Sequence, residues 1–287
     1  MTRRIFAMLI VGAIFAGGGS AWAAEAAVYA GPPNPDWIST ASVERETQDI
    51  EDGIAAMFQS FTIYGDGDEE GRDSPLAKWT MERTDNGVVD VLILSCGTMP
   101  SGLYPFPNAE PDGSVIEEFI DHGNVVINIV DWFGYMSYEG HVRSAENGGA
   151  GAQNIFDAPI DFNSRSNVMK VNDNGRKYLP SLRDLEEFTT DRPWHLETLN
   201  GTPWEVTTFA EAGPNDADPA VAKHSETGGI IACLMQKAWP NPSAQDDIRG
   251  ELVVEFIENW LAGEGHITLS VDPTGKASTS WGVLKTR

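Results

Sequence analysis

Cysteine is scarce, with two in 287 residues. That excludes a disulfide-built scaffold and a four-cysteine zinc site. The five histidines, at 122, 141, 195, 224 and 266, are too scattered to give a zinc-ligand spacing. Basic residues are also few, 19 against 43 acidic ones, for a formal net charge of −24. Nucleic-acid binding needs clustered Lys and Arg, so it is excluded, and an anionic membrane surface is disfavoured for the same reason. Beyond the N-terminus no apolar run is long enough to span a bilayer. What is present suffices for a core: 41% hydrophobic residues with nine tryptophans rule out disorder of the whole. The length allows one large domain or two small ones.

The first residues, MTRRIFAMLIVGAIFAGGGSAWA, read as an export signal. Arg3 and Arg4 form the positive region, Ile5 to Ala16 the apolar stretch and Ala21-Trp22-Ala23 the cleavage site. The apolar stretch is short of the roughly 20 residues a membrane anchor requires. Cleavage after Ala23 is expected, with the mature protein periplasmic, extracellular or on the cell surface. Thr2-Arg3-Arg4-Ile5-Phe6 also resembles a twin-arginine signal, although the strong apolar core favours the ordinary route. Loss of two arginines makes the mature chain more acidic still, hence soluble and self-repelling.

Strand-like and helix-like runs then alternate. Ala26 to Ala30 is short and β-prone, and Glu44 to Phe58 carries Ile50, Ile54, Met57 and Phe58 on one helical face. Ser60 to Tyr64 reads as a strand, and Ser74-Pro75 as a helix start. VVDVLILSC (88–96) and NVVINIV (124–130) have the continuous apolar character of strands buried on both faces of a parallel sheet. Between them Ser114 to His122 is helical and Gly123 stands at a left-handed cap, completing a right-handed βαβ unit. Trp204 to Phe209 alternates as a strand, Gly228 to Gln236 is a buried one, and Gly250 to Leu261 is a closing helix. Residues 134–203 carry no assignable pattern. The alternation argues for a three-layer α/β domain.

The segments VVDVLILSCGTMPSG, SVIEEFIDHGNVVINIVDW, WEVTTF, GGIIACLMQ and GELVVEFIENWLAG resemble the class I glutamine amidotransferase-like fold, in particular its trehalose-utilisation (ThuA-like) group. The resemblance covers roughly residues 26 to 263. It implies a flavodoxin-like domain over 24–264, with a mostly parallel central sheet and a late antiparallel strand, followed by a β-like tail over 265–287. Catalytic members carry a nucleophilic Cys on the turn after the strand matching NVVINIV. Here Asp131 or Trp132 falls on that position, depending on register. The partner His-Pro-Glu is replaced by Lys237-Ala238-Trp239. Neither Asp nor Trp supplies a thiolate, so amidotransfer is not expected.

Asp131 lies at the C-terminal end of a central strand, where open α/β sheets bind ligands. Trp132, Phe133, Tyr135, Tyr138, Glu139, His141 and Arg143 follow it. Rings for stacking with polar groups for hydroxyls suit a small polar ligand such as a carbohydrate, with Cys96, Gly97, Thr98, Asp131, Trp132, Tyr135 and Tyr138 as its expected contacts. Two alternatives stay open: a hydrolase using Asp131 with Glu139 or His141 as acid and base, and a non-catalytic surface scaffold. No cofactor is expected. Asp66, Asp68 and Glu70 imitate the start of a calcium loop, with Gly71 at its sixth position, but Ala77 replaces the bidentate Glu at the twelfth, which favours a solvated acidic turn. Cys96 and Cys233 are expected as buried free thiols, because the strand led by Asn124 should lie between them, two strand spacings being about 9.5 Å. In the tail, Asp272-Pro273-Thr274-Gly275 reads as a turn between Ile267–Val271 and Ser278–Leu284.

Overall fold

The computed structural model describes residues 23–105, 113–144, 146–160, 167–236 and 246–270. Residues 1–22 of the stretch 1–23 that the sequence suggests as an export signal lie outside them, as do the Lys237-Ala238-Trp239 segment and the tail from 271. The chain runs β1 (Ala26–Tyr29), α1 (Thr40–Ile54) closed by a 3-10 turn, β2 (Phe61–Tyr64), α2 (Pro75–Arg83), β3 (Val91–Leu94), α3 (Val115–Asp121) and β4 (Val125–Asn128). A hairpin follows, β5 (Tyr138–Glu139) with β6 (Val142–Arg143), then α4 (Gly151–Phe156), β7 (Asn167–Val171), α5 (Asp173–Tyr178), α6 (Pro180–Arg183), β8 (Glu187–Thr190) and β9 (Trp194–His195). The last stretch holds β10 (Trp204–Thr208), β11 (Ala210–Ala212), β12 (Asp216–Ala217), β13 (Ala220–His224), β14 (Ile230–Cys233) and α7 (Arg249–Glu255), which continues as a π-helix over Phe256–Ala262.

Side-chain caps start the early helices. Ser39 accepts from the Ser42 N–H, so α1 begins at Thr40 rather than at Glu44. Ser74 caps α2 with Pro75 in its first turn, and Ser114 and Glu117 form a reciprocal capping box at α3. Gly123 ends α3 at φ +86°, as its position in the sequence leads one to expect.

The central sheet has the order β10-β13-β14-β4-β3-β1-β2. Five neighbouring strands from β14 to β2 are mutually parallel, and every residue of β1, β3, β4 and β14 is buried. The molecule is a mixed α/β structure around this largely parallel sheet. Right-handed crossovers put α1, which leads outward from β1 to β2, on one face, and α2 and α3, which lead back toward β4, on the other. The packing pairs agree: α1 with α7, and α2 with α3.

Four readings of the sequence need correction. The apolar runs were too generous as strands, because Val88 and Val89 are half-exposed lead-ins and Asp90 is pinned by Asn86 and the backbone of Glu25. The strand Trp204–Thr208 pairs antiparallel with β13, yet runs in the same direction as the five parallel strands. The one reversed strand is β13, whose residues lie in the connection after Trp204–Phe209 that carried no strand signal. The unassigned stretch contributes three strands, β8, β7 and β9, to a second sheet of order β8-β7-β11-β12-β9. Residues 267–270 form no strand; the carbonyl of Thr268 accepts from Ala24 N–H and Ser270 N–H donates to Met57.

Among the described residues no helix is long and apolar enough to cross a membrane. Cys96 and Cys233 are buried and free, with β4 between their strands.

Candidate functional site

The turn after β4 gathers the C-terminal edge of the sheet. Val130 is buried with φ +91° and Met235, just beyond β14, is buried with φ +60°. The two are joined by a hydrogen bond from Val130 N to Met235 O of 3.4 Å. Left-handed backbone at a β-branched residue is strained by about 1–3 kcal/mol and persists only where the surroundings over-determine it. The two residues lie just beyond the ends of adjacent strands, β4 and β14, at the edge where open α/β sheets place their ligands.

Asp131, next in the chain, is wholly buried. Its carboxylate accepts from Arg192, from Asn34 Nδ2 at 3.3 Å and from Trp132 N at 2.6 Å, while its carbonyl accepts from Asn128 Nδ2 at 2.8 Å. Arg192 arrives from the second sheet, on the turn between β8 and β9. Its guanidinium carbon lies 3.3 Å from the Trp37 ring centroid and 3.5 Å from that of Trp132, with Tyr135 at 5.2 Å. Two indoles thus sandwich a cation, worth about 2 kcal/mol when desolvated as here. Burial pulls the guanidinium down to about 9, which still leaves it charged at neutral pH. The backbone carbonyl of Arg192 accepts from Gln236 Nε2 at 2.8 Å, and Gln236 N donates to Asp218. Asp218 also accepts from Thr190 Oγ1 at 2.6 Å, and burial pushes its carboxyl up to about 7.

A carboxylate with its lone pairs taken by Arg192, Asn34 and a backbone N–H, and sealed from solvent, is poorly suited to act as a general base. Three polar atoms of the cluster are buried without a hydrogen-bond partner among the described residues: Trp132 Nε1, Arg192 Nε and Gln236 Oε1. Buried polar groups are rarely left so.

Gly97 ties the neighbouring loop to this site. At φ +75°, a Cβ on it would stand 3.1 Å from the Asp131 Cβ and from the Val130 Cβ, so glycine is required. Beside it the Cys96 thiol donates to Thr98 Oγ1 at 3.1 Å, and Thr98 donates to the Pro32 carbonyl at 3.0 Å. Burial pushes both cysteine thiols up, so neither offers a thiolate.

Of the sequence candidates, Asp131, Trp132 and Tyr135 come together, with Gly97 against them. Glu139 and His141 belong to different surroundings. Glu139 lines a separate groove of about 370 Å³ with Arg72, Ser101, Leu103 and Ser114, and exposed His141 lies 3.6 Å from Asp66. Tyr138 pairs with Arg143 in the hairpin. In the acidic loop, Asp68 accepts from Gly65 N at 3.0 Å and Glu70 from Gly140 N. The three candidate calcium ligands therefore have three separate partners, and the grouping of carboxylates found among the described residues is Glu46, Asp49 and Glu251, which surround Arg45. Sequence reasoning missed Arg192, Trp37, Asn34 and Gln236. Arg192 stands in TTDRPWH, a loop with no periodicity or motif to single it out.

No protein-family model matches the chain, and no curated protein does. Among solved structures, the cold-adapted β-galactosidase from Rahnella sp. R3 overlaps 82% of this chain and 31% of its own, with 12% identity and a TM-score of 0.42. The chain thus spans about a third of that protein's length, and a likeness this slight carries no argument.

Proposed function

We propose that this chain is an exported, glutamine amidotransferase-like domain without amidotransferase chemistry, which binds a small polar ligand such as a carbohydrate at the C-terminal edge of its sheet. The strand order β2-β1-β3-β4-β14 follows the flavodoxin-like pattern and supports the fold assignment. On the family resemblance, the strained turn after β4 is the nucleophile's position, and the residue there is Val130, one before either register considered from the sequence. A valine has no group to form an acyl intermediate.

The observation that carries the binding reading is the pair of unspent buried donors, Trp132 Nε1–H and Arg192 Nε–H, beside half-buried indole faces. Ring faces stack on the C–H surface of a sugar, and the donors take its hydroxyls. Arg192 holds both indoles in a fixed wall, so little ordering entropy remains to oppose binding.

A thermal-shift screen of the full exported chain against neutral sugars and polyols tests this. The expected result is stabilisation by at least one compound, lost in Trp132→Ala, together with no ammonia released from glutamine. Failure of every compound at millimolar concentration, or stabilisation that survives Trp132→Ala, would overturn the binding reading.

A further inference from the structure

At the opposite, N-terminal edge of the central sheet a groove of about 410 Å³ opens between the turn before β3, the turn from α3 to β4 and the turn from β13 to β14. Val88, Val89 and Ile230 give it apolar walls, and Lys223 and His266 line it as well. Lys223 lies near the end of β13 and is half-buried. Its Nζ is 3.3 Å from His266 Nδ1, and among the described residues it makes no ion pair, even with Glu205 opposite it across the β10–β13 ladder. In a chain with 43 acidic residues and 19 basic ones, a half-buried ammonium whose side-chain partner is an imidazole is an anomaly, because long-range attraction should have supplied a carboxylate.

The pairing defines what the groove can offer. An ammonium only donates, so His266 Nδ1 accepts and the ring proton sits on Nε2. Burial first, and the Lys223 charge second, hold His266 below the usual imidazole range. The ring stays neutral near pH 7 and keeps its Nε2–H as a donor. Trp260, with its ring centroid 4.4 Å away, fixes the imidazole from behind. A cation and a fixed donor beside apolar walls recognise an oxyanion joined to a small carbon body.

We propose that this groove is an anion site for a small carboxylated or phosphorylated molecule, with Lys223 as its ion-pair partner and His266 Nε2–H as its second donor. Asp85 lines the same groove and repels additional negative charge, so the ligand carries one oxyanion group rather than several. The site is independent of the ligand reading at the other edge.

The test uses the full exported chain at pH 7, titrated with inorganic phosphate and, separately, with acetate at matched ionic strength, while the histidine ring resonances are followed by NMR. The His266 resonance should move saturably with at least one of the two, and the stronger ion identifies the oxyanion class. Lys223→Gln should weaken that binding about tenfold, the scale of one charge-assisted bond. His266→Phe keeps a ring against Trp260 and should weaken it about threefold or more, read by calorimetry. Lys170→Gln, at an exposed lysine on β7 of the second sheet, should leave it unchanged. A His266 resonance that neither anion moves would overturn the proposal. So would a shift that persists undiminished in Lys223→Gln.

Discussion

At the C-terminal edge of the sheet a guanidinium lies buried between two indoles with Asp131 as its counter-ion. At the N-terminal edge an ammonium lies half-buried beside a neutral imidazole and faces an open groove. Both lie at an edge of the central sheet, Arg192 reaching it from a turn of the second sheet and Lys223 from near the end of β13, yet one charge is sealed and matched while the other is accessible and unmatched. A charge taken fully out of water must be paired or its desolvation is unsupportable; a charge at a groove mouth keeps part of its hydration and can wait for a ligand. The difference assigns them different work: Arg192 is part of the architecture of its site, and Lys223 is a contact group of its own.

That contrast is most easily broken by removing one charge at each edge. Asp131→Asn leaves Arg192 buried without a counter-ion, and removing one partner of such a pair costs about 3–5 kcal/mol. The melting temperature should fall by roughly 10 °C, since 1 kcal/mol moves a chain of this size by about 2–4 °C. Lys223→Gln should move it by about 1 °C or less, as surface charges do. Equal losses in scanning calorimetry would erase the distinction.

The pH dependence sharpens the comparison at the sealed edge and beneath it. Burial raises Asp218 and Glu255 to about 7 and Glu46 to about 8, while the unfolded chain returns such groups to about 4. Over that interval the folded state holds protons that the unfolded state releases. The stability these groups contribute is therefore complete below about pH 4 and lost as pH rises through about 7 to 8. Melting at pH 5.5 should therefore lie above melting at pH 8, by several degrees or more. Asp218→Asn, which stays neutral, should flatten part of the slope, and an unchanged slope would mean that Asp218 is ionised throughout.

How much of this was legible in the sequence depends on what each element is made of. β3, β4 and β14 announced themselves because a strand covered on both faces must be continuously apolar. Ser74-Pro75 and Ser114 with Glu117 carried the helix starts because capping chemistry is local. β13, AVAKH, follows an acidic turn and is too short to display a period, and the second sheet is built of strands of two to five residues with polar members. Asp131 and the aromatics after it were legible as a cluster because they are contiguous. Arg192 completes that cluster from 61 positions away, and no local pattern encodes such an approach. The same lack of long-range information made Asp131, Glu139 and His141 look like partners when their side chains engage different neighbours.

The smallest expected effect concerns the acidic loop, an exposed region unlike either edge. Asp66, Asp68 and Glu70 each serve a separate partner. Calcium should therefore raise the melting temperature no more than magnesium at equal ionic strength, since both then act by screening. A calcium-specific rise abolished by Asp68→Asn would make the loop a metal site after all.

The central claim is that the C-terminal edge holds its rings and unspent donors for a polar ligand rather than for catalysis. The most direct measurement is calorimetric titration of the wild-type chain and Trp132→Phe with the same panel of neutral sugars and polyols. Phenylalanine keeps a ring over Arg192 while removing the Nε1–H donor and part of the indole's stacking face. The account predicts saturable binding by the wild type and binding weaker by about fivefold or more in Trp132→Phe, the worth of one buried hydrogen bond. Equal affinity in the two proteins, or no binding by the wild type, would contradict it.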